Sequence, residues 1–141
     1  MPTVRKSVIV ARPRETLFEL VERSEDYPDF LPWCSGAEVF ERDERVTRAR
    51  LRIDYHGLQS HIETRNLKEP PARIALEFVD GPFREFRGLW TFTALGDAGC
   101  RVELALDYAF SNRAVEAMLG PVFGHILETL VDRFVARAEA S

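Results

Sequence analysis

Five apolar doublets set four residues apart dominate the C-terminal part of the chain: Met118/Leu119, Val122/Phe123, Ile126/Leu127, Leu130/Val131 and Phe134/Val135. This spacing keeps them on one broad face of an α-helix. Because four residues turn through about 400°, the face precesses by roughly 40° per doublet. A winding stripe suits a helix that lies across a twisted, curved sheet better than one in a straight bundle. Ser111 or Asn112 is the expected N-cap, Glu116 suits the positive end of the helix, and Arg133 and Arg137 suit the other. Pro121 removes one donor and disfavours helical geometry at Gly120. A kink or restart is therefore expected there, with the uninterrupted helix running from Pro121 to about Glu139. That segment would measure roughly 28 Å, about the width of six or seven strands.

Upstream the period changes. Thr3 to Ala11 is rich in Val and Ile and reads as an opening strand, and Pro13 then fits the first turn of a short helix with Leu17, Phe18, Leu20 and Val21 on its apolar face. The stretch Tyr27-Pro28-Asp29-Phe30-Leu31-Pro32-Trp33-Cys34 carries two prolines that forbid a long regular element, yet its large apolar side chains demand burial. It reads as an apolar loop folded over something. From Ala37 the period is two. Ala49, Leu51, Ile53 and Tyr55 alternate with Arg48, Arg50, Arg52 and Asp54, which is a strand with one buried and one wet face. His56-Gly57-Leu58 turns the chain into a more polar strand, Gln59 to Lys68. Further strands carry Ile74, Leu76 and Phe78, then Phe86, Gly88, Trp90, Phe92 and Ala94, then Val102, Leu104, Leu106, Tyr108 and Phe110, with turn residues between them.

Short connections imply antiparallel neighbours, so the expected fold is an α+β domain over residues 1–141 with one seven-stranded sheet and a long last helix. Gly88, between Phe86 and Trp90 on the inward face, marks strong bending or leaves space in front of the sheet. A curved sheet closed by a helix encloses an elongated cavity.

Composition narrows the classes. A chain of 141 residues, 45% apolar and 30% charged, is long enough to bury a core without disulfides or metal. The N-terminus lacks the apolar stretch of a secretory signal and no run approaches 18 uncharged apolar residues, so a cytoplasmic location is expected. Cys34 and Cys100 read as free thiols. A net charge of −4 argues against DNA or RNA binding by the whole surface but leaves room for a local basic patch.

Three stretches make the chain resemble the START-like helix-grip superfamily and, within it, the coenzyme Q-binding and ribosome-association-toxin family. They are Tyr27-Pro28-x-Phe30-Leu31-Pro32-Trp33-Cys34, then Gly81-Pro82-Phe83 with Gly88-x-Trp90-x-Phe92, and Gly120-Pro121-Val122-Phe123. Phe86 stands where the family pattern leads one to expect Leu, a departure that narrows the cavity. The resemblance implies a seven-stranded curved antiparallel sheet wrapped around the last helix. It also implies a non-enzymatic protein needing no cofactor, which holds ubiquinone or a related prenyl lipid and supports respiration. The alternative it carries is a toxin that binds the large ribosomal subunit and blocks subunit association. Transient contact with a membrane surface fits the first role.

The expected ligand wall is Phe30, Trp33, Tyr55, Phe78, Phe86, Trp90, Phe92, Tyr108, Met118, Val122 and Phe123; the plain alternative is that these side chains pack on one another. The Tyr55 and Tyr108 hydroxyls could reach a quinone carbonyl. For the ribosomal role, Arg45, Arg48, Arg50 and Arg52, with Arg42 nearby, offer a basic stripe against phosphates, unless neighbouring carboxylates neutralise it. Catalysis would need Asp54, His56, His61, Glu63 and His125 to converge, and the alternation spreads them outward. Ligand entry is expected at the Tyr27–Cys34 loop and at the Gly120-Pro121 kink.

Overall fold

The structure, a computed structural model, describes residues 3–140. Seven strands, β1 (Thr3–Val10), β2 (Cys34–Arg42), β3 (Val46–Tyr55), β4 (Leu58–Glu69), β5 (Arg73–Asp80), β6 (Phe83–Leu95) and β7 (Gly99–Phe110), form one sheet. Its order is β1-β7-β6-β5-β4-β3-β2, every neighbouring pair antiparallel. Helix α1 (Arg14–Glu22), a 3-10 helix (Ser24–Asp29) and the long helix α2 (Arg113–Glu139) cover one face. This is the expected helix-grip arrangement.

The sheet bends for identifiable reasons. Register shifts interrupt the β2–β3, β4–β5 and β6–β7 ladders, and each extra residue adds local twist. His56 and Gly57 both have positive φ, 50° and 85°, so the β3–β4 connection has the backbone signs of a two-residue type I′ turn matched to strand twist. Gly88 lies in register between Leu76 and Leu106. A Cβ there would stand 2.9 Å from the end of each of those side chains. The room that glycine leaves is therefore taken by two leucines leaning in from neighbouring strands.

Helix α2 does not restart at Pro121, and the uninterrupted helix begins earlier than expected. It runs unbroken from Arg113, capped by Asn112, whose side chain accepts from the Val115 amide at 2.9 Å, and no restart follows Gly120. The reason is placement: Pro121 and Ala117, whose carbonyl loses its usual donor, are both exposed. With 27 residues α2 is about 40 Å long. By length and composition it could cross a membrane. In this fold its apolar face is core: Leu119, Val122, Phe123, Ile126, Leu127, Val131, Phe134 and Ala138 are buried. Met118, in contrast, is 53% exposed.

Helix α1 is tied to the sheet by a buried charge. One carboxylate oxygen of Glu22 accepts from Thr47 Oγ1 at 2.6 Å, Lys68 Nζ at 3.0 Å and Arg42 Nε at 3.1 Å. The Glu22 and Lys68 side chains are only 11% and 6% exposed. The 3-10 helix is tied in turn to α1, the Tyr27 hydroxyl donating to the Val21 carbonyl.

Candidate functional site

Between the concave face of the sheet and α2 lies a cavity of about 110 Å³. The sheet supplies Ala49, Leu51 and Ile53 from β3, Thr64 and Asn66 from β4, Leu76 from β5, Phe86 and Trp90 from β6, and Leu104 and Leu106 from β7. Helix α2 supplies Phe123, Ile126, Leu127, Leu130 and Phe134. Val21, Ser24, Tyr27 and Trp33 close the end beneath α1. No carboxylate, imidazole, ammonium or guanidinium lines it. A dry apolar cavity of about 150 Å³ accommodates benzene, so this space suits one ring; drug-sized ligands occupy about 300 Å³ or more.

Of the expected wall, Trp33, Phe86, Trp90 and Phe123 line the cavity. The other expected wall residues lie elsewhere. Phe92 is 1% exposed, stacked parallel on Trp90 and edge-on to Phe18 under α1. Tyr108 packs among Phe83, Phe110 and Phe123, where burial pushes its hydroxyl above the ordinary range. Phe78 contacts Phe83 and Phe86, and Phe30 sits on Phe134 beneath the Arg137 guanidinium. Tyr55 meets His56 and His125. Val122 is buried away from the cavity, and Met118 is exposed, its doublet partner Leu119 alone turning into the core at that point of α2. Counting aromatics along a strand finds walls but cannot separate those that border space from those that fill it.

The residues missed are instructive. Thr64 and Asn66 fall in the stretch expected as a more polar strand, with no face assigned to them, yet they share parity with buried Ile62 and so point inward. That parity was the available signal. Phe134, 1% exposed, contacts Tyr27, Phe30 and Trp90 and forms the floor.

On the outer face the arginines meet carboxylates. Arg48 and Arg50 both bond Glu63, at 2.8 and 3.0 Å; Arg52 reaches Glu38 at 2.6 Å and Arg65 reaches Glu77 at 3.2 Å. The Arg48 guanidinium lies 4.7 Å from the centre of the Phe40 ring. Arg45 has no ion-pair partner among the described residues. Burial alone would raise the Glu63 carboxyl, but hydrogen bonds from Arg48 and Arg50 outweigh it and hold the group below the usual range. A folded-state value depressed below 4.5 contributes stability above that pH and loses it as pH falls through the folded value. Wild type should therefore be more stable than Glu63→Gln at neutral pH, and the difference should close as pH drops below 4.5. Chemical denaturation at several pH values checks this; a gap that persists undiminished to pH 2 would refute it.

The groups considered for acid–base chemistry do not converge. His61 Nε2 lies 2.8 Å from Asp80 on the outside, His125 is exposed, and neither borders the cavity. Asp54 uses its backbone amide to hold the Trp33 carbonyl at 2.9 Å. Burial pushes the Cys34 thiol up to about 11, so it stays protonated.

Comparison with known proteins places these features in context. Residues 10–135 match the family described as polyketide cyclase / dehydrase and lipid transport. A Pseudomonas aeruginosa protein named ribosome association toxin RatA is 38% identical over 136 residues, covering 96% of this chain and 94% of that one. The mitochondrial coenzyme Q-binding protein coq10 of Schizosaccharomyces pombe is 24% identical over 128 residues, 87% of this chain and 78% of that one. The crystal structure of the Zhui aromatase/cyclase from Streptomyces sp. R1128 superposes with a TM-score of 0.86 at 19% identity, covering 98% and 93% of the two chains; at that identity the likeness is one of fold.

Proposed function

Starting from the fact that this chain belongs to the polyketide cyclase / dehydrase and lipid transport family of the START-like superfamily, we propose that it is a non-catalytic cytoplasmic binding protein for a prenyl quinone, ubiquinone or a close relative. The observation that carries this reading is the lining of the cavity: mostly apolar and aromatic, ring-sized, and free of every charged side chain. Such walls hold an uncharged ring by burial, at roughly 25 cal/mol per Å² before association costs. They offer no acid or base to act on it. The coenzyme Q-binding relative supports the ligand class. Leu51, Thr64, Asn66, Leu76, Phe86 and Leu130 are the half-buried members of the lining, and a prenyl tail would leave past the apolar four. Purified protein extracted into organic solvent should release a prenyl quinone visible by mass spectrometry, in roughly equimolar amount after reconstitution; recovery of none, even after reconstitution, would reject the reading.

A second reading, association with the large ribosomal subunit, is favoured by the 38% identical relative. The pairing of Arg48, Arg50 and Arg52 with carboxylates leaves that stripe close to neutral, which weakens its case as a phosphate-binding surface. Co-sedimentation with large subunits at low and high salt tests it, because contact with RNA weakens steeply with ionic strength whereas quinone retention hardly changes.

A further inference from the structure

Among the described residues, three buried side-chain polar atoms lack a hydrogen-bond partner: Arg14 Nε, Ser24 Oγ and Trp33 Nε1. Two of the three belong to residues that border the same cavity, and because each of these atoms exposes less than 1 Å², an acceptor reaches it only as the wall yields. Ser24 is 3% exposed and Trp33 6%. A third lining residue, half-buried, adds to them: Thr64 Oγ1 donates to Asn66 Oδ1 at 2.7 Å, and the Asn66 amide nitrogen makes no hydrogen bond to the described residues of the protein. Buried donors are almost always paired, and leaving one without a partner is costly, so each exception calls for a partner from outside the chain, an ordered water or a ligand.

We infer that the Ser24, Trp33 and Asn66 side of the cavity is a hydrogen-bonding seat for neutral acceptor oxygens on the ligand ring, of the carbonyl or ether type. The inference rests on the proposed use of the cavity as a quinone site and adds which part of the ligand goes where. The indole N–H can only donate, as can the amide NH₂ of Asn66, while a serine hydroxyl turns to suit its partner. The set therefore asks for acceptors. No cation lines the cavity, so a carboxylate or phosphate seated there would be buried unpaired, which rules against an anionic headgroup at this seat. A plain hydrocarbon would leave the donors dry, and sites built to hydrogen-bond a ligand reject analogues that lack the bonding atom. Shape selects a ring, and these donors select an oxygenated one.

Isothermal titration of the full chain with two probes, decylubiquinone and decylbenzene, separates the possibilities. Wild type should bind decylubiquinone about tenfold or more tightly than decylbenzene. Ser24→Ala and Trp33→Phe should each weaken decylubiquinone about tenfold more than they weaken decylbenzene. Because the Ser24 hydroxyl is unbonded in the empty protein, the thermal midpoint of ligand-free Ser24→Ala should not fall, whereas Trp33→Phe also thins a packed wall and is read by the ratio of its two affinities. Equal affinity of wild type for both probes, equal weakening of both by the variants, or no weakening of decylubiquinone would overturn the donor seat while leaving the cavity reading intact. Binding of neither probe to wild type would remove the quinone reading and this inference together.

Discussion

Ala49→Phe is expected to reduce decylubiquinone binding by about a hundredfold while leaving the protein folded. Ala49 is 3% exposed on β3 and borders the cavity. A benzyl group grown from it enters a space of about 110 Å³, close to the size of its own ring. The ligand ring then loses its place, and burial of a ring-sized side chain is worth about 1.5–3 kcal/mol, at the upper end a hundredfold in affinity. Filling a void is tolerated far better than overpacking a solid core, which costs about 1–3 kcal/mol. A thermal midpoint near that of wild type, together with lost binding by titration, is the expected pair of results. Undiminished affinity in a folded Ala49→Phe protein would mean that the ligand sits somewhere else.

The second large effect is on stability. Glu22→Ala should lower the unfolding free energy by about 3–5 kcal/mol, since it strips Lys68 of its carboxylate while the ammonium stays buried. In a chain of this size that corresponds to a fall of roughly 10 °C or more in thermal midpoint. Replacing both partners, Glu22→Met with Lys68→Met, should recover much of the loss, because the cost lies in the stranded charge and not in the missing pair. Urea titrations of the single and double variants measure both quantities. A loss below about 1 kcal/mol in Glu22→Ala would show that water reaches Lys68 and that the network is a surface feature.

The two effects act on different parts of the molecule. Ala49 borders the cavity, whereas Glu22 lies beneath α1 and pins that helix to β3 and β4. Yet the parts are joined through one element. Val21, next to Glu22, is itself a lining residue, and its carbonyl holds the Tyr27 hydroxyl. Loosening α1 should therefore loosen the end of the cavity formed by Ser24, Tyr27 and Trp33.

The sheet was legible because period-two alternation is set by burial on one face, and burial on that face is what the fold requires. The α2 doublets were legible for the same reason at period 3.6. Pro121 misled because sequence alone does not say whether its ring faces protein or water. At an exposed position the lost hydrogen bond leaves a solvated carbonyl, and the helix passes through. In the cavity the aromatics were the visible half. Whether Phe92 or Trp90 borders space depends on what stands opposite: α1 covers Phe92 through Phe18, and nothing fills the space beside Trp90. The polar lining was harder still. Thr64 and Asn66 carry no apolar signal, and Ser24 gives none until its hydroxyl is seen to lack a partner. Opposed charges also needed the fold, for Glu63 and Glu38 reach the arginine stripe only across strand registers.

Trp33 and Trp90 are the two indoles of this chain, and both border the cavity. The protein thus carries its own optical gauge. An electron-poor guest between them would dim the whole intrinsic emission with no dye attached, and Trp33→Phe and Trp90→Phe read separately would tell which wall the guest leans on.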